Sequence, residues 1–218
     1  MDRKLPACVG VIPARYDSKR FPGKPLVDLG GKPMFWHVYD RARRCPDLQK
    51  VYLATDDERI VKAARDHDVP VLLTRADHPS GTDRVMEAAT QLALGPKTVI
   101  VNIQGDEPLL EPAMLSRLVE PLADAKIQVT TLAQPLAPAD IENPDRVKVV
   151  CSLSGRALYF SRRVIPFQDH HPHDVLGHIG LYAFRLACLE RFVKWPQSPL
   201  ACAERLEQLR LLEHDITK

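Results

Sequence analysis

The 218-residue sequence has no apolar run long enough to cross a bilayer; its longest runs are strand-sized. Its N-terminus, "MDRKLPACVG", has no signal-peptide hydrophobic segment before the first expected strand. It has no CxxC pair: Cys8, Cys45, Cys151, Cys188 and Cys202 are odd in number and widely spaced. That pattern favours reduced, structural thiols and a cytoplasmic location over a disulfide framework. It lacks a dominant charge: 30 Lys and Arg against 28 Asp and Glu leave +2, too little for bulk nucleic-acid or membrane binding. Internal repeats, low-complexity tracts and long linkers are missing as well. There is no GxxxxGK[ST], which removes the P-loop NTPase reading.

What is present is ordinary in amount and specific in order. Hydrophobic content of 45% and charged content of 27% suit a globular protein, and the length suits one α/β domain with a sizeable core. "CVGVIPA", "KVYLAT", "VPVLLT", "TVIVNIQ" and "IQVTTLAQ" read as short strands, several apolar on both faces, as buried parallel strands are. Helical patterns alternate with them: "PMFWHVYDRARR", "DERIVKAARDH", "GTDRVMEAATQLAL" and "PAMLSRLVEPLADA". This spacing predicts βαβ units, a mostly parallel sheet and helices on both faces. After residue 135 "RVKVVCS", "RALYFSR" and "HIGLYAF" predict a small mixed or antiparallel excursion, followed by helices near 185–194 and 200–213. The whole chain reads as a single domain, its strand–helix half running over about 1–135 and an elaborated second half over about 136–218.

The polar clusters fall at strand ends. "PARYDSKRFPGK" follows the first strand, "ATDD" ends the second, "TRADHPSGTDR" follows the third and "QGDEP" ends the fourth. In an open parallel sheet these carboxyl ends share one edge, where ligands bind. The Arg15, Lys19, Arg20 and Lys24 cations are therefore expected to face Asp106 across a cleft. Cations beside a carboxylate suit a metal–triphosphate complex, because Arg and Lys neutralise phosphate while a carboxylate holds Mg2+ through hard oxygen.

"IPARYDSKRFPGKPL", "TRADHPSGTDR", "VNIQGDEPL", "NPDRVKVV", "ALYFSR" with "IP", "HIGLYAF" and "LEQLRLLE" occur in that order. Together they resemble the 3-deoxy-manno-octulosonate cytidylyltransferase (CMP-Kdo synthetase) family of Gram-negative lipopolysaccharide assembly, over about residues 8 to 213. The resemblance implies a Rossmann-like nucleotidyltransferase fold of the glycosyltransferase-A kind, and a reaction in which Kdo attacks the α-phosphate of CTP to release pyrophosphate. It also implies cytoplasmic enzymes that work as a homodimer, with Mg2+ as cofactor and no nucleic-acid or membrane partner, the half over about 1–135 binding the nucleotide and the part over about 136–218 binding the sugar acid and dimerising. On the matching positions, Arg15 and Lys24 would hold the triphosphate with Arg20 beside them. Ala14, Ser80, Thr82 and Arg84 would lie around the cytidine, and Asp106 would ligate the metal. Gln104, Arg162, His178, Tyr182, Glu204 and Gln208 would surround the sugar acid. Arg15, Lys24 and Asp106 are the catalytic candidates.

Each candidate has a plainer alternative. Arg15 and Lys24 are solvated loop cations, Asp106 caps the next helix, and His178 and Tyr182, four apart on a strand, share a core face. Glu204 and Gln208 are an i,i+4 surface pair on one helix. "DHHPHD", residues 169–174, resembles a metal cluster but is interrupted by Pro172 and reads as a polar lid. Lys19 and Asp57 read as solvent-facing. The family pattern continues past "LEQLRLLE" into a further strand and a "VDTPEDL"-like segment whose Asp completes metal binding. Here the sequence stops at Lys218, so a truncated piece, a weakened metal site or a substitute ligand are all compatible with it. A different acidic sugar, such as 8-amino-Kdo or a sialic-acid-like substrate, or a nucleotide-binding form with little catalysis, also remain open.

Overall fold

The computed structural model describes residues 5–17, 21–167 and 174–216. One eight-stranded sheet organises it, in the order β3-β2-β1-β4-β8-β6-β7, with β5 on the other flank of β8. β1 (Cys8–Ala14), β2 (Lys50–Thr55), β3 (Val71–Leu73) and β4 (Val99–Asn102) are parallel neighbours. β1 and β4 are almost wholly buried, as expected for strands apolar on both faces and covered on both sides. β5 (Val129–Pro135), β6 (Lys148–Cys151) and β7 (Ala157–Ser161) join through the ten-residue β8 (Leu176–Arg185), which is antiparallel to β4, β5 and β6.

Helices cover both faces. α1 (Met34–Ala42), α2 (Glu58–Asp66) and α4 (Pro112–Val119) bury Phe35, Val38, Ile60, Ala64, Leu115 and Leu118 in one core. α3 (Gly81–Gln91) and α5 (Leu186–Phe192) bury Val85, Ala88, Leu189 and Phe192 in the other. α6 (Pro199–Glu204) and α7 (Leu209–Glu213) close over β6 and β7, where Ala201 and Leu209 pack with Phe160. Among the described residues no helix is long and apolar enough to cross a membrane.

Four expectations need correction. "IQVTTLAQ" is not part of the parallel set: β5 pairs antiparallel with β8, because its neighbour runs back along the sheet. The helix expected over 200–213 is two helices, since Arg205 adopts a left-handed φ of 55° and stops α6. Glu204 and Gln208 therefore do not stand one turn apart on one helix. Asp57 is not simply solvent-facing: its carboxylate caps α2 by accepting from the Arg59 amide at 2.9 Å. Its proton affinity is lowered, chiefly by the hydrogen bond from the Arg59 side chain. Asp106 caps nothing, because α4 begins six residues later with Glu111 at its N-cap position.

Candidate active site

β1 has β2 on one side and β4 on the other, so the crevice outside their carboxyl ends is a topological switch point. Two loops meet there. After β1 the chain makes an excursion closed by the Gly23 amide donating to the Tyr16 carbonyl at 2.8 Å. Gly23 holds a φ of 74°, and a Cβ there would stand 3.3 Å from the Tyr16 ring, so glycine serves the turn twice. The Arg59 guanidinium lies 3.2 Å from the same ring's centre and fixes the base of the loop. A short 3-10 turn, Lys24–Leu26, then returns Lys24 to the crevice. After β4, Gly105 passes so near β1 that a Cβ would stand 3.0 Å from the Pro13 carbonyl oxygen. That approach sets Asp106 in place. Lys24 Nζ donates to Asp106 Oδ2 at 2.6 Å, and both side chains keep contact with solvent.

Arg15, the other described cation of the loop, donates from Nη2 to the His78 carbonyl at 2.7 Å. His78 is in turn held by Glu87 through its ring. Burial alone would raise the Glu87 pKa, but its bonds from His78, the Arg75 amide and Gln91 bring it below the ordinary value. Ala14 is buried at the end of β1. Ser80 caps α3, accepting from the Asp83 amide at 3.2 Å. Arg84 is fully buried; it donates to Thr74 Oγ1 at 2.5 Å and lies 3.0 Å from Asp56. Desolvation pulls its pKa down, opposed mainly by the Asp56 charge. Thr82 is buried and donates to Glu207 Oε1 at 2.6 Å, so it ties α3 to the α6–α7 connection. Arg20 and Lys19 lie outside the described residues, as do 169–173 of the "DHHPHD" run.

The second group of candidates divides. Gln104 Nε2 donates to the Gly180 carbonyl at 3.0 Å, which joins the Asp106 loop to β8. His178 and Tyr182 share a face of β8, with ring centres 5.4 Å apart. Burial raises the Tyr182 pKa well above its ordinary value, with the Glu207 charge adding to it. His178 lines a cavity of about 770 Å³ together with Glu107, Gln134, Arg146 and Gly180. Burial, and then the neighbouring Asp106 charge, raises the Glu107 pKa, while Arg146 opposes the shift.

Arg162 and Glu204 pair with each other rather than with that cavity. Glu204 accepts from Ser161 Oγ at 2.7 Å and from the Arg162 amide at 2.9 Å. The Arg162 guanidinium donates to the Glu204 and Pro144 carbonyls, each at 3.0 Å. Gln208 is buried between α6 and α7. Residues absent from the sequence reading also contribute: Asp56, His78, Glu87, Thr131 and Glu207. Asp56 lies inside "ATDD" and His78 inside "TRADHPSGTDR", both polar clusters at strand ends, and Glu207 lies inside "LEQLRLLE".

Among the described residues no three His, Cys, Asp or Glu side chains converge into a metal site. Asp106 offers one exposed carboxylate at the crevice, which fits an ion arriving with a triphosphate rather than a resident one.

A switch-point crevice holding a lysine–carboxylate pair, a buried arginine and a capped helix start marks a nucleotide-binding α/β protein of the nucleotidyltransferase kind. The cytidylyltransferase family model matches residues 9–217. The 3-deoxy-manno-octulosonate cytidylyltransferase of Oleidesulfovibrio alaskensis is 61% identical over 213 residues, covering 96% of this chain and 86% of the relative. That of Chromohalobacter salexigens is 48% identical, covering 94% and 84%. A solved CMP:2-keto-3-deoxy-manno-octonic acid synthetase complexed with CTP superposes with a TM-score of 0.92 at 40% identity, covering 97% of this chain and 87% of that one. The chain belongs to the 3-deoxy-manno-octulosonate cytidylyltransferase family.

Proposed function

We propose that this chain couples CTP to 3-deoxy-manno-octulosonate, giving CMP-Kdo and pyrophosphate for lipopolysaccharide biosynthesis. The observation that carries the reading is the Lys24–Asp106 contact at the switch point, in a chain this similar to enzymes of that name. In the reaction the anomeric oxygen of the sugar acid bonds to the α-phosphorus as the bond from that phosphorus to the bridging oxygen breaks. Pyrophosphate leaves and the hydroxyl proton passes to solvent. Such a step needs in-line placement and neutralised charge more than a dedicated base.

Lys24 and Arg15 bind the triphosphate, Lys24 exchanging part of its contact with Asp106 for phosphate oxygens. Arg84, locked by Asp56 and Thr74, holds the start of α3 rigid beneath the nucleotide. Gln104, from the loop after β4, and His178, from β8, orient the sugar acid. Asp106 would hold Mg2+, which supplies positive charge against the phosphate oxygens when bound. A cytoplasmic homodimer completes the proposal; five widely spaced cysteines without a CxxC pair suit a reducing compartment.

A second reading, a related acidic sugar, is compatible with the same site: the Arg162 guanidinium donates to the Glu204 and Pro144 carbonyls, which does not distinguish one sugar carboxylate from another. CTP-dependent pyrophosphate release, compared across Kdo, sialic acid and a sugar 1-phosphate, separates the two. Release with Kdo alone supports the proposal, release with sialic acid at an equal rate supports the second reading, and none with any acceptor refutes both.

A further inference from the structure

The segment between β3 and α3 has little backbone bonding of its own. The Thr74 amide donates to the Thr55 carbonyl, and the Ser80 carbonyl accepts from the Arg84 amide. Between them, among the described residues, no amide or carbonyl of residues 75–79 pairs with another backbone group. Arg75, Ala76 and Asp77 are exposed. A stretch of this kind opens locally at small cost unless side chains tie it down. Glu87, in the middle of α3, ties it at two points. Its Oε2 accepts from the Arg75 amide at 3.0 Å and from the His78 ring. Its Oε1 accepts from Gln91 Nε2 at 3.1 Å, and the same nitrogen donates to the Leu73 carbonyl at 2.9 Å.

Glu87 has a lowered pKa and is ionised at neutral pH. An ionised carboxylate only accepts, so His78 donates to it from Nε2, and the ring cannot turn without breaking that bond. Both side chains are largely buried, which leaves the contact little screened by salt. With the ring and the Arg75 amide held from one side and the Ser80 cap from the other, the His78 carbonyl keeps one direction. That carbonyl accepts from Arg15 Nη2 at 2.7 Å. A guanidinium carries five N–H donors in a rigid plane, so fixing one of them decides where the others point.

We infer that Glu87 is a positioning residue for the triphosphate: through the His78 ring and the Arg75 amide it sets the His78 carbonyl, which in turn orients the Arg15 guanidinium. That Arg15 meets phosphate rests on the proposed function; the clamp on the segment does not. A guanidinium oriented in advance loses less freedom when it binds, so the clamp is read out as affinity for CTP. Glu87 itself lies on α3, two bonds removed from Arg15, and acts only through the segment between them.

The test is a double-mutant cycle on CTP binding, measured by titration calorimetry with Mg2+ and without sugar acid, with melting curves to check folding. Glu87→Ala is expected to weaken CTP binding about five- to tenfold, the size of one lost hydrogen bond. In an Arg15→Ala background the same substitution should change the Kd by less than about 1.5-fold, because the group it positions is gone. Glu87→Gln keeps one oxygen for Arg75 and His78 and should weaken binding about threefold, again only where Arg15 is present. An equal loss in both backgrounds would make Glu87 a general support of α3, and unaltered CTP binding in Glu87→Ala would leave Arg15 oriented without it. Either result overturns the inference. If Glu87→Ala does not fold, the cycle with Glu87→Gln decides it by the same criteria. Absence of pyrophosphate release with Kdo would count against the proposed function and leave the binding cycle standing, whereas a parent chain that does not bind CTP overturns both.

Discussion

Lys24 and Asp106 hold each other across the switch point, yet with side chains 36% and 50% exposed their contact is worth no more than about 1 kcal/mol. In the proposed reaction phosphate oxygens displace this contact. Lys24→Ala should therefore cost little stability but about 10- to 150-fold in kcat/KM for CTP, the size of a lost charge-assisted contact. A variant with wild-type kinetics would return Lys24 to the role of a solvated cation. The opposite balance holds at Asp56, which stands 3.0 Å from the fully buried Arg84. Removing one partner leaves a buried charge, so Asp56→Ala should destabilise the fold by about 2–4 kcal/mol in urea unfolding. A loss below about 1 kcal/mol would mean that Thr74 alone satisfies the guanidinium.

At the scale of elements, a close approach shapes the site and a left-handed residue ends a helix beside it. Gly105 lies against the backbone of β1, where only the chain itself could move to admit a side chain. Gly105→Ala should lower kcat at least about tenfold through displacement of Asp106, since small misplacements at a reacting centre are costly. Full activity in that variant would show that the loop tolerates a shift. Arg205 adopts its left-handed backbone with an exposed side chain, so Arg205→Gly should raise stability by up to about 1 kcal/mol. The parallel strands and most of their helices were legible in the sequence, because apolar runs and caps such as Ser80 are local signals. The break at Arg205 was not, since nothing in "AERLEQ" resembles a glycine stop. Nor was the bulge at Gly180 and Leu181, which depends on how β5 and β8 align. The basic loop and Asp106 could be paired from strand ends alone, whereas Glu207 under Thr82 and Thr131 under His178 are tertiary contacts between distant segments.

For the molecule as a whole, the loops joined at the crevice make stability depend on pH in two directions. Glu107 has a raised pKa, so folding favours its protonated form. Its cost is absent below the ordinary value of 4.5 and grows as pH rises through the raised value. Glu107→Gln should thus be more stable than the parent near neutrality, with the difference vanishing in acid; equal unfolding curves at both would contradict the assignment. Asp57 and Glu87 act oppositely, with lowered values whose contribution is lost on acidification. In the proposed function CMP transfer takes place at the pair formed by Lys24 and Asp106. The most direct test is pyrophosphate release from CTP and Kdo, titrated with Mg2+, for this chain and for Asp106→Asn. Release is expected to depend on Kdo and on Mg2+ in the parent and to be abolished in the variant, where an amide keeps the shape but loses the charge. An Asp106→Asn protein as active as its parent, with the same Mg2+ requirement, would contradict it.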